Sequence, residues 1–160
     1  MESTSPGSSE ARSKDQRAHR GLCVFSIGST KHALHVDLVG EVVTVGTVVP
    51  VPRSHAAVTG LFNLRGSPIP LLDLGATLGL EIALSAPVAT AVVIRHEDLS
   101  VAFAVDNLDA VLAPDAGGTI AAEAAEHPAV DHFLALEGSS AITVLESSYV
   151  IERILALRIV

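Results

Sequence analysis

The stretch Gly60-Leu-Phe-Asn-Leu-Arg-Gly-Ser-Pro-Ile-Pro-Leu-Leu-Asp-Leu74 decides how the rest of this chain is read. It holds two short apolar runs, 61–64 and 69–72, on either side of Arg65-Gly66-Ser67-Pro68. Gly and Pro close together are strong turn punctuation, so the stretch predicts a hairpin with a charged tip. Asn63 and Arg65 are the polar members of that hairpin. A guanidinium carries five donors and has no cheap buried state, so Arg65 is presented outward. On the hairpin alone, an ordinary solvated arginine is the simpler reading. Whether Arg65 does more depends on what flanks it.

Upstream, apolar runs at 22–27 and 32–36 enclose the turn residues Gly28-Ser29-Thr30-Lys31, which predicts a first hairpin. Asp37 is a good helix cap, but Gly40 and the valines of 38–43 limit any helix there to about one turn. Residues 45–51 read as a β-branched strand closed by Pro50 and Pro52, and Ser54 as the cap of a helical turn over 55–59. Downstream, Asp73 can cap a short helix from Leu74 to Leu78, with Gly79 as its stop. Residues 88–94 and 99–105 predict a hairpin around Arg95-His96-Glu97-Asp98, and 108–112 a further strand. Residues 119–130 read as loop with a helical turn at most. A last hairpin follows, 133–136 with 141–145, and then a closing helix over 146–157, where Val150, Ile151, Ile154 and Leu155 fall at helical spacing. Short strands with frequent turns and brief helices predict an all-β barrel or sandwich. Strands such as 88–94 are apolar on both faces, which suits strands shared between two packed lobes.

Residues 1–21 are rich in Ser, Glu, Arg and Lys and predict a disordered N-terminal tail; 22–160 is the folded domain. Half of the 160 residues are hydrophobic (49%), enough for a core of one domain or two small lobes. The net charge is -8, and between Arg95 and Arg153 there are eleven acidic residues and no Lys or Arg. Phosphate backbones need clustered cations, so no nucleic acid is expected as a partner, nor an anionic membrane surface. With no secretory leader and no apolar run near membrane-spanning length, a cytoplasmic protein without direct membrane insertion is expected.

No constellation for chemistry emerges. His32 and His35 are three apart on a predicted strand and so face opposite ways. His127 and His132 have no companion motif of a metal site. No serine sits in a Gly-x-Ser-x-Gly elbow, and the single cysteine, Cys23, lies in a strand rather than at a helix N-terminus. Gly117-Gly118 is a turn, not a phosphate loop. The expectation is a binding module, no enzyme, with no cofactor and no metal. A small hydrolase with an unseen site is the competing class, and a convergent Ser/His/Asp or metal constellation in the structure would distinguish it.

The residues around the hairpin carry a family resemblance. Gly60-Leu-Phe-Asn-Leu-Arg-Gly66 followed by Pro70-Leu-Leu-Asp73 resembles the hallmark of the CheW family of bacterial chemotaxis coupling proteins. In the same order along the chain, 32–42, Val105-Asp-Asn-Leu-Asp-Ala-Val-Leu112, Leu136-Glu-Gly138 and Val144-Leu-Glu146 are similar to further elements of that family. The resemblance covers about 22–157. It implies an all-β fold of two packed five-stranded β-barrel lobes with short helices and a C-terminal helix. It implies a non-catalytic adaptor of a bacterial chemosensory system, linking the cytoplasmic tips of chemoreceptors to the regulatory domain of a CheA-type histidine kinase. Carried over residue by residue, receptor binding falls to Arg65, Glu41, Val36, Val39 and Val42, with Asn63 shaping the turn. Recognition would be helix-in-groove, with apolar affinity and charged register.

The chain departs from the family pattern at Gly40, which in sequence loosens the groove wall, and at Phe133, Leu145-Glu146 and Ser139-Ser140. These departures leave a second expectation open: a divergent CheW-like protein that binds the receptor, or another array component, without coupling to the kinase.

Overall fold

The structure is a computed structural model, and it describes residues 21–113, 118–120, 127–138 and 140–159. The expected tail therefore lies outside the described residues except for Gly21, as does half of the ambiguous 119–130 stretch, residues 121–126. Twelve strands and two helices make up the described chain. They are β1 (Leu22–Ile27), β2 (Thr30–His35), β3 (Val39–Thr44), β4 (Val48–Val49), β5 (Val58–Leu64), β6 (Ser67–Leu72), α1 (Leu74–Leu78), β7 (Thr90–His96), β8 (Leu99–Val105), β9 (Asn107–Leu112), β10 (Gly118–Ile120), β11 (Val130–Ala135), β12 (Ile142–Leu145) and α2 (Ser147–Ala156).

The strands form two six-stranded sheets, in the orders β10-β11-β12-β2-β1-β9 and β3-β7-β8-β6-β5-β4. The two share one topology. Taken from β9 and from β4 respectively, each runs antiparallel, antiparallel, parallel, antiparallel, antiparallel. Hairpin β1–β2 thus corresponds to β5–β6, and β11–β12 to β7–β8. The two-lobed all-β fold is as expected, but each lobe is an open sheet of six strands rather than a closed barrel of five. The additional strands are very short: β4 has two residues and β10 three, below the length at which alternation shows in sequence.

Three apolar clusters follow from the alternation. One fills the space between the sheets, with Phe25, Leu34, Leu72, Val92, Phe103 and Val105, and it also receives Leu74 and Leu78 of α1 and Val150 and Ile154 of α2. A second lies within the curl of the β3–β8 sheet, on Phe62, Leu71, Val93 and Ala104. A third lies within the other lobe, on Val24, Ala33, Ile142 and Val144. Strands of the second sheet are apolar on both faces because each face meets a different cluster, Val92 and Val93 being one example.

The chain crosses from one sheet to the other between β8 and β9, and Asp106 is the crossing residue. Its carboxylate accepts from Gly28 N–H at 2.6 Å and from Ser85 N–H at 3.0 and 3.1 Å. Desolvation alone would raise its pKa, but the N–H donors of Ser85 and Gly28 outweigh it and hold the carboxyl below its usual value. It ties the β1–β2 turn to the loop before β7.

Both helices are capped as their flanks imply. Asp73 accepts from Ala76 N–H at the start of α1, which Gly79 ends at φ 73°. Glu146 accepts from Ser148 N–H at the start of α2. Two expectations fail locally. The segment after Asp37 is strand β3 rather than a helical turn, because the edge of β7 offers a ladder that outweighs local capping. The expected 45–51 strand shrinks to β4, and no helix forms over 55–59; Ser54 Oγ donates instead to Val51 O at 2.8 Å.

Candidate functional site

The β5–β6 hairpin turns through two residues only, Arg65 at φ 50° and Gly66 at φ 86°. Positive φ at both positions is the geometry whose twist matches a β-ribbon, and Gly66 meets it without a Cβ penalty. Arg65 meets it at some cost, fixed by its surroundings. Asn63 Oδ1 accepts from Gly66 N–H at 2.7 Å and braces the turn. Pro68 and Pro70 sit in β6 without breaking it. Antiparallel alternation turns their nitrogens away from β5, and pairing of β6 with β8 begins only at Leu71.

Arg65 is not a lone tip residue. Its guanidinium grips Glu41 of β3 in a two-pronged pair, at 2.8 Å to Oε1 and 2.5 Å to Oε2. Arg95 of β7 donates to the same carboxylate, 2.8 Å to Oε1. The Glu41 side chain is 20% exposed, against 68% for Arg65 and 49% for Arg95. The hydrogen bonds from Arg65, joined by its charge and by Arg95, hold the Glu41 carboxyl down to about 2. Three strands separate β3 from β5 in the sheet order, so this pair forms only because the sheet curls until the hairpin tip reaches the β3 edge. The cluster holds that lobe together side chain to side chain where no backbone ladder closes it.

Arg95 went unrecognised in the sequence. It was expected in a polar turn, but β7 continues through His96, and only the long-range β3–β7 register sets Arg95 beside Glu41. Gly40 completes the arrangement. It is the extra residue of a bulge between Val39 and Glu41, and a Cβ there would stand 2.9 Å from Arg95 Cδ and 3.0 Å from Cγ. Far from loosening a wall, Gly40 makes room for the Arg95 side chain.

The apolar candidates fall elsewhere. Glu41 pairs with Val93 and faces the curl of its own lobe, whereas Val39 and Val42 pair with Ile94 and Val92 and pack on the cluster between the sheets. Val36 is in the β2–β3 turn, donating to Gly21 O at 3.2 Å. Between Val36 and Val39, Asp37 and Leu38 open into a notch of about 340 Å³ shared with His96, Ser147, Ser148 and Ile151. The notch thus lies where the two sheets meet the start of α2. The structure therefore brings together Glu41, Arg65 and Asn63, and separately sets Val36 and Val39 beside the notch. Among the described residues no group of His, Cys, Asp and Glu is arranged to hold a metal ion.

Residues 21–153 match the sequence profile of the family described as the CheW-like domain. The chain belongs to the CheW-like domain family. Relatives within it include the chemotaxis protein CheW of Thermotoga maritima, 34% identical over 88 residues, which are 55% of this chain and 58% of that protein. The chemotaxis protein CheW of Helicobacter pylori is 32% identical over 84 residues, 52% of this chain and 51% of that one. The chain spans about half the length of these relatives. The crystal structure of the scaffolding protein TtCheW from Thermoanaerobacter tengcongensis superposes with a TM-score of 0.66 at 19% identity, over 82% of this chain and 86% of the other. The CheW-like fold thus extends over both lobes.

Proposed function

We propose that this CheW-like chain is a non-catalytic coupling adaptor of a bacterial chemosensory system, working in the cytoplasm through its 22–160 domain. It joins the cytoplasmic tip of a chemoreceptor to the regulatory domain of a CheA-type histidine kinase. The observation that carries this reading is the family match over 21–153, which includes the whole Asn63–Gly66 turn and its Glu41 partner. No helix among the described residues is long and apolar enough to cross a membrane, which agrees with a protein that meets receptors at their cytoplasmic ends.

The receptor tip, a helical hairpin, lays an apolar ridge into the notch between the lobes, on Leu38 and Ile151, flanked by Val36 and Val39, with Val42 packed behind them on the cluster between the sheets. The Glu41–Arg65–Arg95 cluster sets the rim. Arg65, two-thirds exposed even while paired, keeps donors free for a carboxylate of the receptor. Binding of a purified receptor-tip fragment tests the assignment. Ile151→Asp, which places a charge in the notch, abolishes binding on this account, and Arg65→Glu weakens it. Unchanged binding by both variants, with their fold intact, would refute the notch as the receptor site.

A further inference from the structure

Five arginines lie among the described residues, and three of them are satisfied within the chain. Arg65 and Arg95 hold Glu41, and Arg153 Nε donates to Thr77 O at 3.2 Å. The guanidinium groups of the other two, Arg53 and Arg158, have no hydrogen-bond or ion-pair partner among the described residues, and both arginines line one groove of about 340 Å³. It lies at the margin of the cluster between the sheets, on which Val58, Leu157 and Ile159 pack, and is bounded by the segment that follows β4, strands β5 and β6, and the residues that follow α2. The groove shares no lining residue with the notch between the lobes.

Its chemistry differs from the rest of the surface. The chain carries a net charge of -8, yet no Asp or Glu lines this groove. Its floor is apolar, with Val58, Leu61, Pro70 and Leu157, and its cations stand at the rim, joined by His55. Both arginines also hold left-handed backbone, φ 61° at Arg53 and φ 52° at Arg158. Only four described non-glycine residues do so, and arginine has no side-chain device that favours that region. Outliers of this kind cluster at ligand clamps.

We propose that this groove binds an acidic, apolar peptide segment of a partner protein, its carboxylates held by Arg53 and Arg158 and its apolar side chains resting on the floor. Charge complementarity selects that occupant. Guanidinium forks match carboxylates two-pronged. An extended polyanion, whether nucleic acid or an anionic membrane, would meet the acidic remainder of the surface, whereas a short acidic segment needs only this patch. The site is independent of the receptor notch, so the two assignments stand or fall separately.

Fluorescence anisotropy with a labelled peptide alternating Glu and Leu tests it, against the same peptide with Gln for Glu. Saturable binding of the Glu peptide is expected, weakening with salt and at least about tenfold tighter than for the Gln peptide. Arg53→Gly with Arg158→Gly removes both side chains while keeping the left-handed backbone accessible, so the fold is retained. That double variant loses binding on this account, whereas Ile151→Asp, in the notch, keeps it. Absence of saturable binding, equal affinity for the Gln peptide, or full affinity in the glycine variant with an unchanged melting temperature would overturn the proposal.

Discussion

His32 should make this protein acid-sensitive well above the range in which its carboxylates titrate. It lies in β2, 4% exposed, pressed against Phe25 of β1 with ring centroids 6.1 Å apart. Its Nε2 meets Thr30 Oγ1 at 2.8 Å, while Nδ1 is buried with no partner. Desolvation lowers its pKa from 6.5 to about 4, because an imidazolium there would be both dry and unpaired. The folded state therefore keeps the ring neutral, while the unfolded chain takes up a proton from pH 6.5 downward. Stability is fully present above 6.5 and falls as the pH drops toward 4. Shifting one group by about 2.5 units at about 1.36 kcal/mol per unit, less the half-titrated native ring at pH 4, gives a loss of about 3 kcal/mol. In urea, with a slope of about 2 kcal/mol per molar, the unfolding midpoint should move down by about 1.5 M between pH 7 and pH 4. Burial lowers the pKa of His35 in the same direction and adds to the slope. The control is His32→Leu, of similar volume, which leaves Thr30 Oγ1 its bond to Ile27 O. That variant should lose most of the slope between pH 6.5 and 4 and be at least as stable as the parent at pH 4. Parallel pH profiles for parent and variant would refute the reasoning.

Three other outcomes follow from the same geometry. Gly40→Val drives a Cβ into the Arg95 side chain and separates Arg95 from Glu41; the Glu41 carboxyl, followed by NMR titration, then rises from about 2 but stays below 4.5, since Arg65 still grips it. Phe103→Ala empties the centre of the cluster between the sheets, where Phe103 is 0% exposed; it should cost about 3–5 kcal/mol and lower Tm by roughly 10 °C in calorimetry. Asp106→Ala removes the acceptor of Gly28 and Ser85 N–H, so hydrogen exchange at those two amides should accelerate selectively while amides of β7 and β8 keep their protection.

Much of this fold was legible because its hairpins are local. The β5–β6, β7–β8 and β11–β12 units each announce themselves by two apolar runs around a turn, and α1 by Asp73 and Gly79 at its ends. What the residues did not disclose is set at long range. Strand β3 follows a capping Asp37 and carries a Gly and valines, which locally suit a turn, and becomes a strand only because β7, about fifty residues away, pairs with it. The same non-local register sets Arg95 on Glu41 and gives Gly40 its purpose. The motif singled out Arg65 and Glu41 but could not say that they grip each other, since that contact depends on how far a whole sheet curls. Likewise Val39 and Val42 read as one wall with Glu41, yet the bulge at Gly40 and the alternation of β3 turn them to the opposite face.

The role proposed for this chain is to couple a receptor to a kinase. The most direct measurement is autophosphorylation of a CheA-type kinase reconstituted with receptor tips in membrane vesicles, with and without this protein. Added protein is expected to recruit the kinase to the vesicles and change its rate, and Arg65→Glu or Ile151→Asp to remove the effect. Receptor binding with no kinase recruitment and no change in rate would contradict that role.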